Sequence, residues 1–189
     1  SPAVLFPTKA EYQIASDITS DGKTMIMTLP ANYLVTDSNW ADLFISKRES
    51  TELPWSDPIP LPLPVNSSEI EREGTISDDG RMLIFVRVKA KDYIAKRLIS
   101  KLYISTRADW DSPWSIPVPF ENQPDSWESR NPRLLPDGKT LLLGSDRPGS
   151  KGMDIWMAEL VKKRINSSDK ELLPAKQDQQ DGAAVKKII

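Results

Sequence analysis

The chain of 189 residues has no cysteine and no histidine. Without cysteine there are no disulfides, no thiolate nucleophile and no Cys-ligated zinc. Without histidine there is no Ser–His–Asp triad, no histidine general base and no HExxH zinc site. Glycine is scarce, with eight residues against sixteen prolines. The three glycines within 144–152 lack both the G-x-x-x-x-G-K-[ST] pattern and a following helix, so no phosphate loop is expected. No segment matches the calcium loop D-x-[DN]-x-[DN]-G, and neither a metal nor a cofactor is expected. No apolar run approaches the roughly 20 residues that span a bilayer, so no membrane span is expected. Charge is balanced at 25 basic and 27 acidic residues. Nothing in that balance, and no basic face interleaved with aromatics, favours nucleic acid.

What remains is an ordinary soluble mixture, long enough for a sizeable core. Six tryptophans are many for this length. Proline fits neither long helices nor central strands, which predicts short strands joined by ordered turns.

A repeat runs through the chain. The turn Asp21-Gly22-Lys23 returns as Asp79-Gly80-Arg81 and as Asp137-Gly138-Lys139, 58 residues apart each time. Each is followed by an apolar run: Met25-Ile26-Met27, Leu83-Ile84-Phe85 and Leu141-Leu142-Leu143. A second shared strand follows, Leu43-Phe44-Ile45-Ser46-Lys47-Arg48 and Leu102-Tyr103-Ile104-Ser105-Thr106-Arg107, with Ile155-Trp156-Met157-Ala158-Glu159-Leu160 as the third copy. Seven residues after each arginine stands Trp55 or Trp114, inside Pro-Trp-Ser, with Pro58 or Pro117 three residues later. The third copy lacks that tryptophan.

Asp-Gly supplies the left-handed backbone of a tight hairpin, so one strand precedes each turn and one follows it. The alternating Leu-Phe-Ile segment is the third strand. Trp-Ser-x-Pro leads into a fourth, where proline suits an edge. The expectation is all-β: β-propeller blades of four antiparallel strands, in repeats at about 11–68, 69–126 and 127–160.

These residues resemble the WD40-like propeller repeat of the TolB type. The third copy is the nearest match, running Pro132-Arg133-Leu134-Leu135-Pro136-Asp137-Gly138-Lys139-Thr140-Leu141, then Ser145-Asp146-Arg147-Pro148-Gly149 and Asp154-Ile155-Trp156. The first two copies keep the turn but carry insertions, at 29–40 and 86–100, in place of the Ser-Asp-Arg-x-Gly loop. The Arg…Trp-x-x-Pro extension is similar to a variant of bacterial envelope and multidomain proteins. The resemblance implies a non-enzymatic β-propeller module for protein–protein interaction, periplasmic or extracellular. It also implies structural roles for Asp146 and Arg147.

Three blades do not close a propeller, which takes about four to eight. The chain is read as a fragment of a longer propeller, because it opens on Ser1 with no leader-like segment. A homodimer completing a six-bladed ring is a second reading. A partial fourth blade built from the ends, with Ala3-Val4-Leu5-Phe6 as a strand, is a third. Residues 161–189 hold seven basic and four acidic residues and are read as a polar tail or linker, with a short helix over 183–189.

For site residues, Trp55 and Trp114 recur in register and are assigned to the repeat, and Trp156 to the core. Trp40, Trp110 and Trp127 lack repeat partners and sit among polar, acidic neighbours. They are the candidates for a ligand face, since exposed indoles stack on sugars and anchor interfaces. Arg48 and Arg107 recur; they are expected to hold a carboxylate within the repeat, or else to meet an anionic ligand in a channel. A protein partner is expected and a glycan is the alternative. Asn66-Ser67-Ser68 and Asn166-Ser167-Ser168 fit the glycosylation pattern, which carries no meaning in a bacterial setting.

Overall fold

The computed structural model describes residues 14–30, 41–95, 99–120, 123–162 and 183–187. Ala3-Val4-Leu5-Phe6, Trp40 and Asn166 lie outside them. The chain is all-β, with three four-stranded antiparallel sheets in chain order. The first holds β1 (Ile14–Ile18), β2 (Thr24–Pro30), β3 (Ala41–Lys47) and β4 (Ile59–Pro60). The second holds β5 (Ile70–Ile76), β6 (Met82–Val88), β7 (Ser100–Thr106) and β8 (Val118–Pro119), with the short helix α1 (Ala90–Ile94) between β6 and β7. The third holds β9 (Ser129–Leu134), β10 (Thr140–Ser145), β11 (Asp154–Lys162) and β12 (Ala183–Lys187).

Each first hairpin turns at Asp-Gly because the glycine must adopt a positive φ: 69° at Gly22, 70° at Gly80 and 66° at Gly138. The aspartate ties the turn to itself. Asp21 accepts from Thr19 Oγ1 at 2.7 Å and from the Lys23 amide at 3.0 Å. Asp79 does the same with Ser77 Oγ at 2.6 Å and the Arg81 amide at 3.0 Å. Leu135 replaces that hydroxyl in the third copy, and Asp137 turns to Thr140 Oγ1 at 2.6 Å. The third strand is held by serine clamps. Ser46 Oγ donates to the Ser56 carbonyl, and Ser105 Oγ to the Ser115 carbonyl, both at 2.7 Å. The prolines that follow leave β4 and β8 only two residues each.

A subtler equivalence fixes the ends of these segments. Asn66 accepts from the Leu43 amide at 2.9 Å and donates to the carbonyls of Leu43 and Leu61 at 2.9 and 2.8 Å. Gln123 makes the same three bonds, to Leu102 twice and to Phe120, at 2.8 to 2.9 Å. The second loop is two residues shorter, and the longer amide side chain spans the difference. Asn66 is 7% exposed, so its amide serves the fold and is closed to glycosylation.

The sheets stack face to face through alternate residues. Ile26 and Leu43 of the first sheet meet Leu83, Phe85 and Trp114 of the second. Ile84, Val86, Leu102 and Ile104 on its other face meet Leu134, Leu141, Leu143 and Ala158 of the third. The contact is close where Gly74 faces Ile26: a Cβ there would stand 2.8 Å from the isoleucine. The first strands of the three sheets also touch. Buried Asp17 accepts from Thr75 Oγ1 at 2.5 Å and from the Ile76 amide at 3.1 Å, and it pairs with Arg133. Thr75 Oγ1 accepts in turn from the Leu134 amide at 3.0 Å. Asp17, Thr75 and Arg133 occupy one repeat position, 58 residues apart.

Two expectations are corrected. Residues 183–187 form a strand rather than part of a helix, pairing antiparallel with β11 from Ala158↔Lys187 to Lys162↔Ala183. A seven-residue helix has too few internal bonds to persist by itself, whereas the open edge of β11 offers a full ladder. The third sheet therefore draws its fourth strand from the segment read as a tail. The insertions are also shorter than read, because Leu29 and Pro30 belong to β2 and residues 86–88 to β6.

Candidate functional site

The arginines that recur in sequence recur in geometry, but not as carboxylate clamps. Arg48 Nε donates to the Gly22 carbonyl and Arg107 Nε to the Gly80 carbonyl, both at 2.7 Å. Their Nη1 atoms reach the carbonyls of Thr51 and Trp110, both at 3.1 Å. Each guanidinium lies over the following repeat tryptophan, Arg48 at 4.3 Å from the Trp55 ring and Arg107 at 4.2 Å from Trp114. Among the described residues neither forms an ion pair. A planar cation with five donors binds the turn carbonyl and stacks on the indole at once, which explains the conserved spacing within the chain.

This frame gives Trp110 a position that the sequence did not reveal. Trp110 and Thr51 are equivalent, since the same arginine atom reaches the carbonyl of each. Where the first sheet has a threonine over its turn glycine, the second has an indole. Trp110 packs so closely on Gly80 that a Cβ there would stand 2.2 Å from it. Arg107 lies 4.5 Å from the Trp110 ring, and Lys47 of the first sheet lies 4.1 Å from it. Burial pushes the pKa of both cations down, and for Lys47 the neighbouring Arg107 charge adds to this. Trp110 therefore bridges the first and second sheets.

A cleft of about 510 Å³ opens beside it. Its walls include Ile45, Ile59, Pro60 and Pro62 from the first sheet and Trp110 and Pro113 from the second. Ile59 is 62% exposed. The prolines hold this wall rigid and donate no backbone hydrogen bond, so the surface is apolar and preorganised. Lys47, Arg107 and Asp111 supply charge at its margin. Nothing in the sequence marks Lys47 or the proline wall as part of a site, because their meeting with Trp110 depends on how two sheets stack.

Trp127 lies elsewhere. It precedes β9, at the end of the sheets away from the Asp-Gly turns, whereas Trp110 lies on a turn. Its indole nitrogen is buried without a partner, and its carbonyl accepts from Lys101 Nζ at 3.3 Å. The three singled-out tryptophans are therefore not brought together: Trp110 and Trp127 stand at opposite ends, and Trp40 lies outside the described residues. At the Trp127 end a second recess of about 350 Å³ is lined by Arg87, Lys101, Tyr103 and Asp125 among others. Arg87 there is taken by fully buried Glu71 at 2.7 Å. Asp146 accepts from the Glu128 amide ahead of β9, and Arg147 Nε donates to Ser145 Oγ at 3.1 Å and lies 5.1 Å from the Trp156 ring, so both are held by contacts within the third sheet.

Among the described residues no group of three or more acidic side chains is placed to hold a metal. No helix among them is long and apolar enough to cross a membrane. A search of protein-family models and of curated proteins finds no match.

Proposed function

We propose that the three sheets are blades of a β-propeller of the WD40-like, TolB type, and that the chain is a non-enzymatic module that binds another protein. The turn contacts recur 58 residues apart in all three sheets, and the arginine and serine contacts 59 residues apart in the first two, in sheets that stack around touching first strands, and this supports the blade reading. The cleft beside Trp110 carries the binding reading. It combines a rigid apolar wall, an exposed isoleucine and an indole flanked by cations, and interface anchors have this composition. The context proposed is periplasmic or extracellular, on the resemblance alone.

A carbohydrate-binding propeller has less support. A sugar needs a free indole face, and Trp110 already carries Gly80, Lys47 and Arg107 against its ring.

The test is a selection of displayed peptides on the immobilised protein, followed by titration against wild type and Ile59→Asp. The exposed Ile59 can be changed without unfolding the chain. Binding that weakens about tenfold or more, the effect of one anchor, is the expected result. Selected peptides that bind both proteins equally, or a glycan array giving the only hits, would overturn the reading.

A further inference from the structure

The cleft beside Trp110 restricts how a partner can enter it. Its first-sheet wall is the edge at β4. There Ile59 pairs with Ile45 and Pro60 with Phe44, and the Leu61 amide donates inward to the Leu43 carbonyl at 2.9 Å. Successive backbone groups of a strand point to opposite edges, so inward bonding at Leu61 turns the positions of Pro60 and Pro62 outward. Neither proline has an N–H to offer. An added strand would find no donors along that edge. A partner therefore meets this wall through its side chains and does not extend the sheet.

Charge narrows the choice further. The charged groups lining the cleft are Lys47, Arg107 and Asp111, two cations against one carboxylate. Lys47 and Arg107 converge on one indole, at 4.1 and 4.5 Å from the Trp110 ring. Among the described residues neither forms an ion pair. Arg107 spends Nε and Nη1 on backbone carbonyls, and its Nη2 is buried without a hydrogen-bond partner. Two like charges held against one ring favour an anionic group brought by the partner, and the apolar wall beside them reduces screening by water. The chain around them is acidic, with 18 basic and 23 acidic residues over 1–160, so this attraction belongs to the cleft and not to the whole surface.

We infer that the cleft takes an acidic segment of a partner protein. An apolar side chain of that segment seats against Ile59 and Trp110. A neighbouring Asp or Glu carboxylate accepts from Lys47 Nζ, and the Arg107 charge reinforces the pull. The inference rests on the cleft being the binding site, and it adds the chemistry of what enters.

Peptides selected from a displayed random library on the immobilised protein test it, each resynthesised with its Asp and Glu changed to Asn and Gln. The selected set should be rich in Asp or Glu beside a large apolar residue. Raising salt from about 0.05 to 0.5 M should weaken binding several-fold. Lys47→Gln should weaken it about three- to tenfold, between the effects of an exposed and a buried charge pair. Its circular dichroism spectrum should match wild type, and Lys47→Arg should restore most of the affinity. The amide peptide should lose a similar factor on wild type and little more on Lys47→Gln, because both changes remove one contact.

Peptides weakened by Ile59→Asp yet indifferent to salt, to Lys47→Gln and to the amide change leave the cleft as the binding site and overturn the acidic partner. Equal losses in Lys47→Gln and Lys47→Arg mark a packing role and overturn it too, as do losses from Lys47→Gln and the amide change that simply add. Peptides indifferent to Ile59→Asp, or a selection that returns no binder, overturn both the site and the inference.

Discussion

The three turn glycines form a controlled experiment, because they share a backbone conformation and differ only in what lies above them. Alanine at each meets the same left-handed strain, about 1–2 kcal/mol. A gain of roughly 0.4–1 kcal/mol from the stiffer unfolded chain offsets part of it. A Cβ at Gly138 meets nothing within 4 Å, so Gly138→Ala should cost only about 1 kcal/mol. At Gly22 the nearest atoms are a Thr51 methyl at 3.2 Å and an Arg48 nitrogen at 3.4 Å, both able to yield, so the loss should be only slightly larger. At Gly80 the Cβ would stand 2.2 Å from the Trp110 ring. The indole must move, and it carries the Lys47 and Arg107 contacts with it. Overpacking of this kind adds about 1–3 kcal/mol, giving a total loss of roughly 2–4 kcal/mol. Urea unfolding measures this at constant m value. A gap of about 2 kcal/mol between Gly80→Ala and Gly138→Ala moves the midpoint by roughly 1 M. Adding Trp110→Ala should remove most of the extra loss, as expected for residues in contact. Equal losses at Gly80 and Gly138, or no coupling to Trp110, would refute the placement of the indole across the sheets.

Three further outcomes follow from other contacts. Gln123→Asn shortens the amide and breaks its bonds to Leu102 and Phe120, for a loss of about 1–3 kcal/mol in the same unfolding assay; no change would mean that the match with Asn66 is coincidental. Asp42 has its pKa pushed up to about 6 by burial and by nearby Glu71. Its folded pKa exceeds the unfolded value near 3.8, so it binds a proton more readily when folded and its contribution to stability falls as pH rises from about 4 to 6. Asp42→Asn should flatten unfolding free energy over that window. Asp21 and Asp137 act in the opposite sense, held below the usual carboxylate range by Thr19 and Thr140, and their stabilisation is lost below about pH 4.

Local chemistry made much of the fold legible in the sequence. Asp-Gly-Lys specifies its own hairpin, because only a few residues tolerate the left-handed turn and the aspartate closes it within three residues. A short apolar run marked each second strand, alternation marked the third, and the prolines marked short edges. The repeat spacing identified Arg48 and Arg107 as parts of one device, though not their partners. A backbone carbonyl and an indole face leave no signature in sequence, whereas a carboxylate would have. Ala183–Lys187 was illegible for a related reason: five residues of mixed character become a strand only because β11 leaves an edge to pair with.

The sequence by itself determined the Asp-Gly hairpin of each sheet, the strand order of the first two sheets, and the exclusion of thiol and imidazole chemistry, since these depend on residue identity and short spacing. Tertiary structure alone decided which faces meet. It put Lys47 of one sheet over Trp110 of the next, opened an apolar cleft between them, and left Ile155 and Met157 exposed while Leu43, Leu102 and Ile104 at equivalent positions are buried. Sheet faces with the same alternation are indistinguishable until stacking assigns each a neighbour, because hydrophobic burial depends on area and not on partner.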